Sequence, residues 1–178
     1  MIRIFLTGPE STGKSVLTKA LAEHYGVPYI DEYAREYLEL LDRPYNYNDV
    51  LHIALNQVES LKKYSNTRYE MIFVDTYLII TKFWFDLVYN NYPEWIDTEI
   101  AKTRNDLYLL CKPDIPWKPD PLRENGGEMR TVLFNLYEQE LIGAGLNYLY
   151  IEGKRENRIM DAIKKTDGYL ILKNKNGK

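Results

Sequence analysis

Short apolar runs alternate with longer stretches of helical periodicity along this chain of 178 residues. Ile2 to Leu6, Val27 to Ile30, Met71 to Val74, Asp106 to Cys111 and Tyr148 to Ile151 read as strands. Several of these runs are continuously apolar rather than alternating, as expected of parallel strands covered by helices on both faces. Leu51, Ala54, Leu55, Val58 and Leu61 recur at helical spacing and predict one apolar face. Ile79, Ile80, Phe83, Trp84, Phe85, Leu87 and Val88 cover most of a helix spanning Leu78 to Tyr89. Such a helix is deeply buried or faces a pocket or partner, and burial is the expectation because aromatic side chains mostly build cores. Leu133, Leu136, Tyr137 and Leu141 mark another amphipathic helix, and Ile159, Met160 and Ile163 mark the last. The polar tail 174–178 is expected to fray.

The pattern predicts one α/β domain over residues 1–178, built on a five-stranded, mostly parallel sheet with helices on both faces. One segment interrupts it. Pro113, Pro116, Pro119, Pro121 and the pair Gly126-Gly127 exclude a regular helix or central strand there. A long loop inside a compact domain is often functional, and a lid over about residues 113–130 is the expectation.

Composition narrows the class. Hydrophobic content of 45% with 28% charged residues is globular, and the net charge of -3 gives no general attraction to nucleic acid or anionic membrane. No apolar stretch approaches a bilayer span and no signal-peptide pattern opens the chain, so the expectation is a cytoplasmic protein. The single cysteine, Cys111, lies in an apolar run and reads as a buried strand residue. With only His24 and His52 as histidines, a structural zinc site lacks ligands.

Candidate chemistry begins right after the first apolar run. Gly8 to Ser15 reads Gly-Pro-Glu-Ser-Thr-Gly-Lys-Ser, a complete phosphate-binding loop between a strand and a helix, since Val16, Leu17, Ala20 and Leu21 follow at helical spacing. Its backbone N–H groups and the helix N-terminus face phosphate oxygens, Lys14 reaches the outer phosphates, and the Ser15 hydroxyl binds Mg²⁺. The fold predicted is therefore that of the P-loop nucleoside triphosphate hydrolases, of kinase type with a lid. Met71-Ile72-Phe73-Val74-Asp75 has the form of a strand whose terminal Asp contacts Mg²⁺ or its water shell, and Asp75 also suits a helix N-cap. Asp31, Glu32 and Arg35 follow the second strand, at the sheet edge where doubly wound folds bind ligands. A carboxylate there would accept a hydroxyl proton during phosphoryl transfer. Arg123 and Arg130 are the candidate lid arginines. A guanine-specific Asn-Lys-x-Asp motif is missing, because Asn174-Lys175-Asn176 lacks the acid, and the short chain disfavours a larger motor-type ATPase.

Taken together, the phosphate loop, Glu32-Tyr33-Ala34-Arg35-Glu36-Tyr37, Phe73-Val74-Asp75-Thr76, Asp106-Leu107-Tyr108-Leu109-Leu110 and Pro116-Trp117 with Asp120 to Arg123 resemble the nicotinamide riboside kinase family. That family includes the kinase domain of the bifunctional bacterial regulators of NAD biosynthesis. The resemblance runs in order from about Ile2 to Arg158. It implies transfer of the ATP γ-phosphate to the 5′-hydroxyl of nicotinamide riboside. Gly8, Glu10, Ser11, Thr12, Gly13, Lys14, Ser15 and Val16 would hold ATP, with Ser15 and Asp75 on Mg²⁺, and Glu32 or Asp75 would orient or deprotonate the ribose hydroxyl. Asp31, Arg35 and Asp120 would border the substrate. Tyr33, Tyr37 and Trp117 are first choices for stacking the cationic ring and Trp84 a further one, while Arg155 in the Glu152 to Arg155 turn would lie near adenine. The implied partner is a small-molecule nucleoside, with no nucleic acid and no membrane, and a homo-oligomer stays open. Neither histidine supplies the His-x-x-His of an adenylyltransferase and no helix-turn-helix precedes the first strand, so a stand-alone kinase is expected. Pro121 stands where family lids often have Gly. The alternatives are another nucleoside or nucleoside-monophosphate kinase, and a non-catalytic ATP-binding switch.

Overall fold

A computed structural model describes residues 1–65 and 67–176. Its elements in chain order are β1 (Ile2–Thr7), α1 (Lys14–Tyr25), β2 (Tyr29–Ile30), α2 (Tyr33–Glu39), α3 (Tyr47–Lys62) and β3 (Met71–Asp75). They continue with α4 (Leu78–Tyr89), α5 (Trp95–Ala101), β4 (Leu107–Cys111), α6 (Met129–Gly143), β5 (Asn147–Ile151) and α7 (Glu156–Asn176). The strands form one sheet in the order β2-β3-β1-β4-β5, and every pairing is parallel. The central strands β1, β3 and β4 carry the apolar runs. Successive side chains go to opposite faces, so Phe5, Ile72, Val74, Tyr108 and Leu110 pack under α3 to α6. Ile4, Leu6, Phe73, Leu107, Leu109 and Cys111 pack under α1 and α7. Phe5 is fully buried between Tyr77 and Tyr108, its ring centroid 4.8 Å from each.

The elements end where local chemistry stops them. α1 terminates on Gly26 at φ 63°, whose N–H bonds to Ala22 and Glu23 carbonyls, and the Val27 N–H bonds to the Ala22 carbonyl. That use of Val27, together with Pro28 lacking an N–H, shortens the second strand from the expected Val27–Ile30 to Tyr29–Ile30. α3 begins with a reciprocal capping box between Asn46 and Asp49.

Three helical faces differ from the expectation. On α3, Leu55 is exposed and the buried face runs through Val50, Ile53, Ala54, Gln57, Val58 and Leu61. Gln57 belongs there because its side-chain oxygen accepts from buried Thr81 at 2.9 Å. On α7, Met160 is exposed while Arg158, Ala162 and Thr166 turn inward. α4 divides: Leu78, Ile79 and Phe85 are core, whereas Ile80, Trp84, Leu87 and Val88 line a cavity. The expected fraying from residue 174 also gives way to helix through Asn176, and residues 177–178 lie outside the described residues. No helix among the described residues is long and apolar enough to cross a membrane.

Candidate active site

The loop between β1 and α1 has a backbone that few residues tolerate. Gly8 sits at φ 139°, and a Cβ there would lie 2.6 Å from the Cys111 carbonyl oxygen on neighbouring β4. Only glycine fits such a position. Ser11 at φ 56° and Gly13 at φ 78° complete the curl that opens onto the α1 N-terminus. Lys14 Nζ donates to the Gly8 and Pro9 carbonyls at 2.9 and 3.1 Å, which folds the ammonium over the loop. The buried Thr12 hydroxyl ties the same loop by donating to Pro9 at 2.9 Å.

Asp75 ends β3 at this loop and is 1% exposed. Burial pushes its carboxyl up from the usual range, while the Lys14 charge and the Ser15 hydroxyl oppose the shift. Its Oδ2 is buried without a hydrogen-bond partner among the described residues. An orphaned carboxylate oxygen beside a serine hydroxyl suits a hard divalent cation, so Ser15 and Asp75 fit Mg²⁺.

A cavity of about 730 Å³ opens from the phosphate loop. Gly8 and Glu10 through Val16 form one end. The rest of the lining comes from separate elements: Glu32, Arg35 and Leu38 at α2, Leu41 to Tyr45 after it apart from Asp42, Ile80 to Val88 on one side of α4, Asp120 to Asn125, and Leu133 and Tyr137 of α6. Tyr45 and Trp84 meet edge to face with centroids 5.0 Å apart, giving an aromatic wall. Glu32 lines the same cavity. Burial raises its carboxyl, Lys14 opposes that, and the Asp75 charge reinforces it. A smaller hollow of about 290 Å³ adjoins this one and is shared by Ser15, Asp31, Glu32 and Asp75.

The segment from Pro113 to Glu128 contains no helix or strand and lies across the cavity, fastened at both ends. On the loop side, Glu10 accepts from the Glu124 and Asn125 backbone N–H groups at 3.2 and 3.1 Å and from Asn125 Nδ2 at 3.2 Å. The Ser11 hydroxyl accepts from the Lys118 N–H at 3.0 Å. On the wall side, Arg35 pairs with Asp120 at 3.0 Å, and the Tyr45 hydroxyl donates to Glu124 at 3.0 Å. The Asp120 carboxyl is held low by the Leu122 N–H and by Arg35.

The sequence candidates fall into two groups. Lys14, Ser15, Glu32, Arg35, Asp120 and Arg123 converge on the cavity, with Asp75 at its edge. Others face elsewhere. Along α2, Glu32, Arg35 and Leu38 share the cavity side, so Tyr33 and Tyr37 turn to α3, bonding His52 and Asp49 at 2.8 Å. The Trp117 ring packs on Gly126, where a Cβ would lie 3.2 Å from it, and does not line the cavity. Asp31 lines only the adjoining smaller hollow, where it is exposed and pairs with Lys19 at 3.1 Å. Arg155 is exposed and outside the cavity. Arg130, expected as a lid arginine, is 6% exposed. Its guanidinium donates to the carbonyls of Glu10, Ile115 and Ser11 at 3.1, 3.0 and 3.1 Å, so it holds the loop's backbone rather than standing free above it. Tyr45, Leu38, Leu41 and Arg43 were missed, since they belong to no motif.

The family described as an AAA domain matches residues 3–158. The chain belongs to that family. It is also 26% identical over 157 residues to the trifunctional NAD biosynthesis/regulator protein NadR of Salmonella typhimurium, covering 84% of this chain and 38% of that protein. The Escherichia coli NadR is 27% identical over the same shares. The chain thus spans well under half the length of these curated relatives. Among solved structures, a NadR protein in complex with NR superposes with a TM-score of 0.71 at 21% identity, covering 94% of this chain and 50% of that one. A deoxyadenosine kinase from M. mycoides superposes at 0.65 and 15% identity, covering 94% of this chain and all of that one. The fold is that of the P-loop kinases, and the resemblance drawn from the motifs leads to the same relatives.

Proposed function

We propose that the chain is an ATP-dependent kinase that phosphorylates the 5′-hydroxyl of nicotinamide riboside, giving nicotinamide mononucleotide and ADP. The observation that carries this reading is the shared cavity. Glu32 and Lys14 line the same cavity as the paired rings of Tyr45 and Trp84. A flat cationic ring suits that aromatic wall, and its ribose would then point back toward Glu32. The kinship with NadR supports this choice of acceptor.

In the proposed reaction the 5′-hydroxyl proton passes to Glu32, the oxygen bonds to the γ-phosphorus, and the bond from that phosphorus to the β-phosphate bridging oxygen breaks. A raised carboxyl is a better match for this task than an ordinary glutamate. Lys14 and Arg123 oppose the charge spread over the transferred group, and the fastened lid keeps water from competing for it. Ser15 and Asp75 would hold Mg²⁺, which supplies further neutralisation of the phosphates when bound. Glu32 is favoured over Asp75 as the base because Glu32 lines the large cavity and Asp75 does not. The same reading makes the protein a cytoplasmic enzyme of pyridine nucleotide salvage.

The test is ADP release with nicotinamide riboside, uridine, cytidine, thymidine and deoxyadenosine, with Lys14→Ala as control. Lys14-dependent turnover with nicotinamide riboside supports the proposal. Turnover only with another of these nucleosides, or only with their 5′-monophosphates added as a second panel, replaces the acceptor and keeps the kinase; ATP binding with no response to either panel replaces the kinase with a nucleotide-binding switch.

A further inference from the structure

We propose that Glu10 is a positioning residue: through it the phosphate loop fixes the lid and so places Arg123 and Glu124 over the cavity. A carboxylate inside a phosphate loop repels the triphosphate unless its charge is taken up elsewhere. Here both oxygens of Glu10 turn away to the lid, accepting from two successive backbone N–H groups, of Glu124 and Asn125, and from the Asn125 amide. Hydrogen bonds to an ionised acceptor are the stronger kind. Glu10 is itself held from behind, since Arg130 donates to its carbonyl at 3.1 Å. The fixed pair of N–H groups lies beside the two lid side chains that matter. Arg123 lines the cavity, and Glu124 accepts from Tyr45 of the aromatic wall at 3.0 Å. One loop side chain thereby sets the lid against both the phosphate end and the acceptor end. The catalytic consequence rests on the kinase proposed above; the latch itself belongs to the free chain.

The lid offers a clean readout. Lys112 and Lys118 precede prolines, which block trypsin, so Arg123 is the accessible trypsin site between residues 112 and 128. Trypsin cleavage after Arg123 is followed by mass in wild type, Glu10→Gln and Asn125→Ala without nucleotide, alongside thermal melting. Glu10→Gln presents an amide to N–H donors, and cleavage is expected to accelerate about tenfold, with about threefold for Asn125→Ala, by the usual worth of such bonds. The double variant is expected to match Glu10→Gln alone, because Asn125 acts through Glu10. The second readout is the ratio of ATP hydrolysed to phosphoryl transferred at saturating ATP, expected to rise in Glu10→Gln. Unaltered cleavage in both folded variants overturns the latch, whatever the acceptor proves to be. Faster cleavage with an unmoved ratio overturns the positioning role.

Discussion

The two ends of the cavity are built by different means. The phosphate end is one contiguous stretch whose shape is set by backbone, with Gly8 packed so closely on Cys111 that no side chain fits. The end proposed for the acceptor is gathered from residues of α2, α4, α6, the turn ending at Tyr45 and the lid. A backbone-made site carries its signature in consecutive residues, whereas a wall gathered from distant elements carries none. The donor end should therefore fail abruptly on single substitutions, and the acceptor end by degrees.

Lys14→Ala should have the largest effect, lowering kcat about 10³-fold, as expected for removing a charge aimed at a transferring phosphoryl group. Steady-state ADP release checks it, with circular dichroism confirming an intact fold. Glu32→Gln should lower kcat/KM about 10²-fold, within the range for a general base. Its raised carboxyl also fixes a sign. The base must be ionised, so the rate falls as pH drops through a value above the ordinary glutamate range, and the variant should lose that acid limb. Near-normal turnover in Glu32→Gln would remove it from the reaction.

Arg130→Met separates holding from catalysis. It leaves three carbonyls without their shared donor, and the loss in stability should be about 1–3 kcal/mol, read from chemical denaturation. Smallest is the contrast between two tryptophans. Trp84→Ala should raise the acceptor KM about tenfold through lost aromatic contact, while Trp117→Phe should leave it nearly unchanged. Equal KM values for the two would erase the distinction between the acceptor wall and the lid interior.

The sheet was legible because β3 and β4 are buried on both faces and read as unbroken apolar runs. Helical faces were less so. The inward side of α3 includes Gln57, whose polarity is matched by Thr81, and that of α7 includes Arg158, bonded to Asp114 at 2.6 Å. Such paired polar groups hide a buried face from any hydrophobic count. In the site, nearness to a motif misled for Tyr33 and Tyr37, because neighbours on a helix point to different sides. Trp84 reads in sequence both as a core residue and as a further stacking candidate, while Tyr45 belongs to no motif, and the cavity they share follows from how α4 and the turn before α3 pack.

Phosphoryl transfer to a sugar hydroxyl, rather than to water, is tested most directly by incubating the protein with ATP carrying ¹⁸O in its γ-phosphate and with nicotinamide riboside. Mass spectrometry then locates the label. It should appear in the non-bridging oxygens of the phosphate joined to the 5′-oxygen of the riboside, while that 5′-oxygen stays unlabelled, and in Lys14→Ala it should remain in ATP. Label found only in inorganic phosphate, at the same rate with and without the riboside, would contradict the proposed kinase.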